Sequence, residues 1–404
     1  MTAVTARTSA LRSRDFRLLL AGQSLSMVTY GAYLAVLSWY AYRLTGSPSA
    51  SGLVLGAAAV SEVTTLLLGG ALADRWDRRS MMILADTGRL VSVLALAVLT
   101  AAGHTDLAVL TVCASLVSLF DGLFYPAFGG MVPATVPAEL IGSANAALGF
   151  VRSVSAVAGP ALGGAVYASA GMAAVLGLTA AAFLVALGTA MALRSPPRTL
   201  PPAPSRPLRD IAEGARYVVS VPLLVSIPVA AVALLLSEGP TQTLLPRLVE
   251  EHFAGGAGTL SLLTTAYGAG AAAGALLYAR LMPVRRRAVI VYVSWTTAHV
   301  LCAVMALTTW LPGAVALAAV RGLCGGFGFA VWETLLMHVV APDKLSRVYS
   351  VNLFGTKALM PIGFAIGGWL GAHAPAATVI ACGQLAGAAL MGSLLLVRRI
   401  RTVH

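Results

Sequence analysis

The sequence predicts an all-α integral membrane protein with twelve transmembrane helices in two pseudo-symmetric six-helix bundles. Three observations predict it. First, 58% of the 404 residues are hydrophobic, only 10% are charged and the mean hydropathy is +0.85, whereas a soluble domain carries roughly 25% charged residues. No water-soluble core hides so much apolar surface, and inside a bilayer only helices or a closed barrel satisfy every backbone group. Second, the apolar runs are long and continuous, as a helix needs about 20 such residues to cross the hydrocarbon. Third, short matches recur between the two halves at nearly one offset.

Apolar runs read against Gly, Pro and charge punctuation place the first six helices near residues 17–42, 51–73, 81–102, 106–130, 142–168 and 172–193. The first follows a polar segment with Arg7, Arg12 and Arg14 and continues past Leu37 without a signal-peptidase pattern, so it is expected to be retained. A tract from Arg194 to Arg216 then interrupts the pattern with Pro196, Pro197, Pro201, Pro202, Pro204 and Pro207. Six more helices follow near 219–245, 258–281, 287–308, 312–340, 347–372 and 376–397. The chain therefore divides into a six-helix bundle over 1–193, a cytoplasmic Pro/Arg-rich linker over 194–218 and a second bundle over 219–404.

Loops rich in Lys and Arg stay cytoplasmic. Of the 27 Lys and Arg residues, 21 fall on the side that carries both termini, the opposite side has only Arg43 and Arg247, and Arg89, Arg152, Arg321 and Lys357 fall within helices. Both termini are thus expected in the cytoplasm, in a multi-pass protein of the cell (inner or plasma) membrane. The repeat supports the same division. GALADR from Gly70 answers to GALLYAR from Gly274, and Gly163-Gly164 to Gly367-Gly368, each 204 residues apart. Pro137-Ala138-Glu139-Leu140 parallels Pro342-Asp343-Lys344-Leu345 at 205. Such halves are related by an axis along the membrane normal.

Composition also excludes functions. The net charge of +12 is scattered in short clusters between apolar runs, not gathered on one solvated face as nucleic-acid binding requires. The four cysteines, Cys113, Cys302, Cys324 and Cys382, lie in apolar segments without metal-ligand spacing and read as small packing residues. There is no P-loop, no metal cluster and no nucleophile elbow, so no cofactor, metal or enzymatic activity is expected.

The segment Gly69 to Ser80, GGALADRWDRRS, closes helix 2 with a Gly, an Asp-Arg pair and a basic cluster. It resembles the signature loop between helices 2 and 3 of the major facilitator superfamily. The resemblance implies that Gly70 permits close helix approach, and that Asp74 with Arg75, Arg78 and Arg79 latches the cytoplasmic gate. Asp77 stands where the commonest form of the motif has Gly, a variant similar to the branch that includes macrolide efflux proteins and enterobactin exporters. In helix 5, Gly159-Pro160-Ala161-Leu162-Gly163-Gly164 resembles the antiporter motif of proton-coupled drug exporters, with Ser155 in place of its first glycine. Proline bends a helix and glycines admit a close neighbour. The opening Arg14-Asp15-Phe16-Arg17-Leu18-Leu19 and the Phe124-Tyr125-Pro126-Ala127 run are also similar to that branch. Helix 4 departs from many drug antiporters: Ser118 stands where their Arg precedes Gly122 by four, while Arg321 has that spacing before Gly325 in the other half.

Charges at membrane depth cost about 2.5–3.5 kcal/mol each, so each is expected to face a cavity or a partner. Glu62, an acid at membrane depth without an evident cationic neighbour in sequence, is the first candidate for proton coupling or substrate binding. Asp121 with Arg152, and Glu333 with Lys357, are candidate intrabundle pairs. Glu238, before Gly239-Pro240, is placed near the outer end of helix 7, as a gating or rim charge. Asp86 and Arg89 are assigned to the network around Asp74. Tyr30, Tyr33, Trp39, Tyr125, Tyr267, Phe327 and Trp332 can anchor, pack or stack on a planar ligand. His299 and His338 are left to packing. The resemblance implies a monomeric transporter in the lipid bilayer that exports a small-molecule substrate, a drug-like compound, siderophore or natural product, by exchange with protons. Import or uniport of a metabolite is the alternative, and a non-transporting membrane sensor a remote one.

Overall fold

The computed structural model describes residues 9–73, 76–194, 216–221, 223–281, 286–341 and 344–398. Among them are twelve long helices and no strand. Helix α1 spans Arg14–Thr45; Ser13 caps it by accepting from the Phe16 N–H at 3.3 Å, and Gly46 ends it at φ 68, where a side chain would be strained. Helix α2 is Pro48–Ala73, α3 is Arg78–Ala101 and α4 is Leu107–Thr135, the last two capped by Asp77 and Asp106. The helical run Ile141–Ala192 is broken at Gly171 (φ 75, ψ −174) into α5 (141–170) and α6 (172–192). The second set is α7 (Ser226–Phe253), α8 (Ala257–Leu281), α9 (Arg287–Leu307), α10 (Leu311–Val339), α11 (Leu345–His373) and α12 (Ala376–Ser393).

Helix α7 differs most from its sequence expectation, beginning and ending seven to eight residues later than 219–245. Residues 216–220 form a separate short helical turn. Pro240 and Pro246 lie inside α7, as neighbouring helices in a membrane bundle re-satisfy the backbone groups that a proline frees. Its last turns are charged but paired: Arg247 Nε donates to Glu251 at 2.6 Å, and Glu250 lies 3.7 Å from Arg43 of α1. Among the described residues, ten stretches are long and apolar enough to cross a membrane, with the α5–α6 run counted as one and α7 not among them. Side chains such as Val91, Val112, Phe150, Leu184, Leu276 and Leu396 are exposed, an outer surface suited to lipid.

The pairings in the two halves correspond. Helix α1 packs on α5, α2 on α4 and α3 on α4; likewise α7 packs on α11, α8 on α10 and α9 on α10. The bundles meet through α2 with α11 and α5 with α8. Glycines show why. A Cβ at Gly163 would stand 2.4 Å from the Ala32 carbonyl of α1, and one at Gly367 2.6 Å from Pro240 Cα of α7. Their neighbours face the other bundle: Gly164 abuts Ser261 of α8, and Gly368 abuts Ser49 of α2.

We call the end carrying the α2–α3 and α8–α9 junctions the terminal end, and the opposite one the far end. Trp39 of the first bundle packs with Val249, Ala257 and Leu260 of the second in one apolar cluster at the far end. Ser49 Oγ donates there to the Gly368 carbonyl at 3.0 Å. Toward the terminal end the clusters stay within one bundle, one around Phe16, Met81 and Phe128 and another around Leu224, Tyr292 and Trp332. The bundles therefore hold together at the far end and part toward the terminal end.

Candidate functional site

Between the bundles lies a cavity of three lobes, of about 510, 290 and 440 Å³, that share the α7 residues Glu238 and Gln242. Mid-helix placement makes the charges converge there, and each finds a partner, as the cost of an isolated ion in the membrane demands.

In the first bundle α3 sets Asp86 and Arg89 three residues apart, on one face. Arg89 Nη1 donates to Asp121 Oδ1 at 2.9 Å and Nη2 donates to Asp86 Oδ1. The guanidinium lies 4.0 Å from the Phe124 ring centroid and 4.8 Å from that of Phe183. All three charged groups are buried, and Asp121 lines the third lobe. Asp121 thus pairs with Arg89 rather than Arg152, which is exposed, and Asp86 and Arg89 join a mid-helix triad. Two carboxylates on one guanidinium leave one excess negative charge.

The second pair crosses the bundles. Lys357 Nζ of α11 donates to Glu62 Oε1 of α2 at 2.9 Å, with side chains 45% and 18% exposed. Glu62 therefore has a cationic neighbour, 295 positions away, and Lys357 does not pair with Glu333. Glu333 instead accepts from the Tyr349 hydroxyl at 2.6 Å.

The third cluster corrects the placement of Glu238. With α7 shifted, Glu238 is at mid-helix and in all three lobes, not on a rim. Arg321 Nη2 of α10 donates to Glu238 Oε1, and its guanidinium lies 4.7 Å from the Tyr267 ring centroid. Gln384 Nε2 donates to Thr241 at 2.9 Å and reaches Glu238 at 3.5 Å, while His299 Nδ1–H donates to Gln384 Oε1 at 2.7 Å. Sequence reasoning set His299 aside and passed over Gln384; a lone amide in the apolar run 376–393 was the available signal. Of the aromatic candidates, Tyr30, Tyr125, Tyr267 and Trp332 line the cavity, whereas Tyr33 and Phe327 pack in cores and Trp39 at the bundle contact.

The motif residues lie at the terminal end. Asp74 and Arg75 fall outside the described residues, and Gly70 lies in the last turns of α2. Asp77 accepts from the Ser80 N–H at 3.0 Å and so caps α3. Arg78 Nη1 donates to the Gly130 carbonyl of α4 at 2.7 Å, and Arg79 Nη2 to the Met191 carbonyl of α6 at 2.5 Å, where helix-end carbonyls attract cations. In α5, Pro160 lines the second lobe, while Gly159 and Gly163 admit α1.

Two matched helix bundles around a polar, ion-paired cavity at membrane depth are the architecture of a membrane transporter. The chain belongs to the Major Facilitator Superfamily, whose family model matches residues 19–247, and it is not an enzyme. It is 27% identical over 366 residues to the enterobactin exporter EntS of Citrobacter koseri, covering 88% of this chain and 85% of that protein. It is 30% identical over 237 residues to YfiS of Bacillus subtilis, an uncharacterized MFS-type transporter, covering 56% of this chain and only 55% of that protein. Among solved structures, a bacterial homolog of the human lysosomal transporter Spinster, inward-facing and occupied, superposes with TM-score 0.69 at 14% identity, covering 96% of each chain. The nucleoside transporter NupG gives TM-score 0.70 at 13% identity over 95% of this chain and 98% of that one. At these identities the structures share the fold.

Proposed function

We propose that the protein exports a drug-like compound, siderophore or natural product in exchange for protons, by alternating access in the cell membrane. The observation that carries this reading is the Glu62–Lys357 pair, which ties the bundles together across the cavity. A proton on Glu62, or a charged substrate group on either partner, acts on the bundle contact directly. The unbalanced carboxylate of the Asp86–Arg89–Asp121 triad, with Asp121 on the cavity wall, is a second place for a proton. Export is supported by relatives named as enterobactin exporters.

The moving bodies are residues 1–193 and 219–404 of a monomer, joined by the linker 194–218. With both termini in the cytoplasm, as the Lys and Arg bias argues, the contacts at the far end make this conformation inward-facing. Arg78, Arg79 and the motif acid Asp74 act at the cytoplasmic gate, and Gly159-Pro160 with Gly163-Gly164 stiffen the outer seal. Inward proton flow at ~100 mV supplies about 2.3 kcal/mol per charge before any pH gradient. The test is flux of labelled solutes in proteoliposomes with and without an imposed pH gradient. Gradient-driven accumulation against the solute's own gradient is expected; downhill flux alone, indifferent to pH, would make the protein a uniporter.

A further inference from the structure

We infer that the largest lobe is a binding subsite for an elongated, single-chain amphiphile whose head carries no net charge, with the head on Glu238 and Arg321 and the chain running toward the terminal end. The site stands on the lobe's geometry; that such a molecule is the transported substrate rests on the export reading.

Every residue lining this lobe belongs to the second bundle, between Ser226 and Met391, and the lobe joins the other two at Glu238 and Gln242. Along α7 its lining runs from Ser226 to Gln242, about 24 Å at 1.5 Å per residue. With a volume of about 510 Å³, it is long and narrow. Its deep end holds Glu238, Arg321 and His299; its walls are Ala230, Leu234, Trp295 and Phe329, and Trp332 and Met391 join the core cluster at its floor.

Around its own buried charged cluster, behind the third lobe, the first bundle is closely packed. There Phe124 and Phe183 close on Arg89, and Phe128 stacks on Phe124 at 5.4 Å. At the repeat offset of 204, Phe124 answers to Gly328 and Phe183 to Gly387. A Cβ at Gly328 would meet the Trp295 ring at 2.9 Å, and one at Gly387 would meet His299 at 3.2 Å. The two glycines thus let the Trp295 and His299 rings swing onto the lobe wall where the first bundle has solid packing. An unfilled interior forfeits dispersion contacts, which a chain in the lobe would restore.

Charge decides the head. Glu238 and Arg321 sum to zero, so a singly charged head would leave a net charge in a low dielectric, which is costly. A zwitterionic head offers a cation to Glu238 and an anion to Arg321. Arg321 and Gln384 both donate to Oε1 of Glu238, and among the described residues no hydrogen bond reaches Oε2, which is left to the cavity.

The test uses the purified full chain in nanodiscs and a series of n-alkylphosphocholines, with tryptophan fluorescence as readout and Trp295→Phe to assign the signal. No ion gradient is applied, so failure of binding and failure of proton-driven export are separate results. Affinity, referred to free aqueous probe, should rise about fourfold per methylene until the chain outgrows the lobe. Alkyltrimethylammonium and alkyl sulfate probes of equal length should bind at least tenfold more weakly. Ala230→Phe should flatten the chain-length dependence, and Glu238→Gln should turn the preference toward the sulfates. An unchanged chain-length dependence in Ala230→Phe, or equal binding of all three head groups to the wild type, would overturn the inference. Should Glu238→Gln fail to fold, Ala230→Phe and the head-group series still decide it.

Discussion

Glu62 and Lys357 belong to different bundles, so alternating access has to break their 2.9 Å contact in every cycle. The pair is half-exposed, and its loss should weaken the present conformation by about 1–2 kcal/mol, between the values for surface and buried pairs. Glu62→Gln is therefore expected to shift the conformational equilibrium about five- to thirtyfold and to abolish gradient-driven accumulation, while downhill exchange survives in part. The exchanged pair Glu62→Lys with Lys357→Glu should recover much of the conformational balance, read by cysteine accessibility. If Glu62→Gln still accumulates solute with unchanged pH dependence, the coupling acid is Asp121, and Asp121→Asn should remove that dependence. The sequence named these charged residues but not their partners. Pairs separated by 295, 83 and 32 positions depend on which face each helix turns inward, and near-uniformly apolar helices carry no periodicity that reveals the face.

At the scale of helices, adjacent glycines of α5 do different work. A Cβ at Gly163 meets the backbone of Ala32 within its own bundle at 2.4 Å, whereas one at Gly164 meets Ser261 of the other bundle at 2.2 Å. Gly163→Ala should destabilise the protein by about 1–3 kcal/mol, the usual cost of overpacking, as a lower thermal midpoint in detergent. Gly164→Ala should instead leave the midpoint nearly unchanged and populate the state open at the far end, and Ser261→Gly should reverse it. A shift of both variants in thermal midpoint alone would remove the distinction. Helix number and most ends were legible because hydrophobic length is a one-dimensional property of the chain. The exception, α7, was misplaced at its end because Pro246, Arg247, Glu250 and Glu251 read as an end in isolation, whereas contacts with α1 and α11 hold them in the helix. The two-glycine repeat at offset 204 was legible, but its division into one contact within a bundle and one between bundles required the assembled fold.

For the molecule as a whole, the bundles are joined at one end and apart at the other, and in the proposed orientation the open end faces the cytoplasm. Cysteines at Thr199 and Ser205, outside the described residues, should be labelled from the cytoplasm and one at Ser47 from outside; labelling of all three from one side would reverse or undo this topology. The far-end contact then acts as the outer seal. Arg43 and Glu250 lie across it, 3.7 Å apart and both substantially exposed, so Arg43→Cys with Glu250→Cys offers a pair that a short bifunctional thiol reagent can bridge without disturbing a core. Bridging should fix the protein with its cavity open only toward the terminal end. Turnover should stop, whereas probe binding from that side should continue, because Glu238, Arg321 and the lobe beneath them lie in the second bundle and do not need the seal to open. Reduction, when the reagent carries a cleavable disulfide, should restore flux. If the bridged protein transports at its normal rate, the far-end contact is not a gate, and the halves move by some route other than opening there.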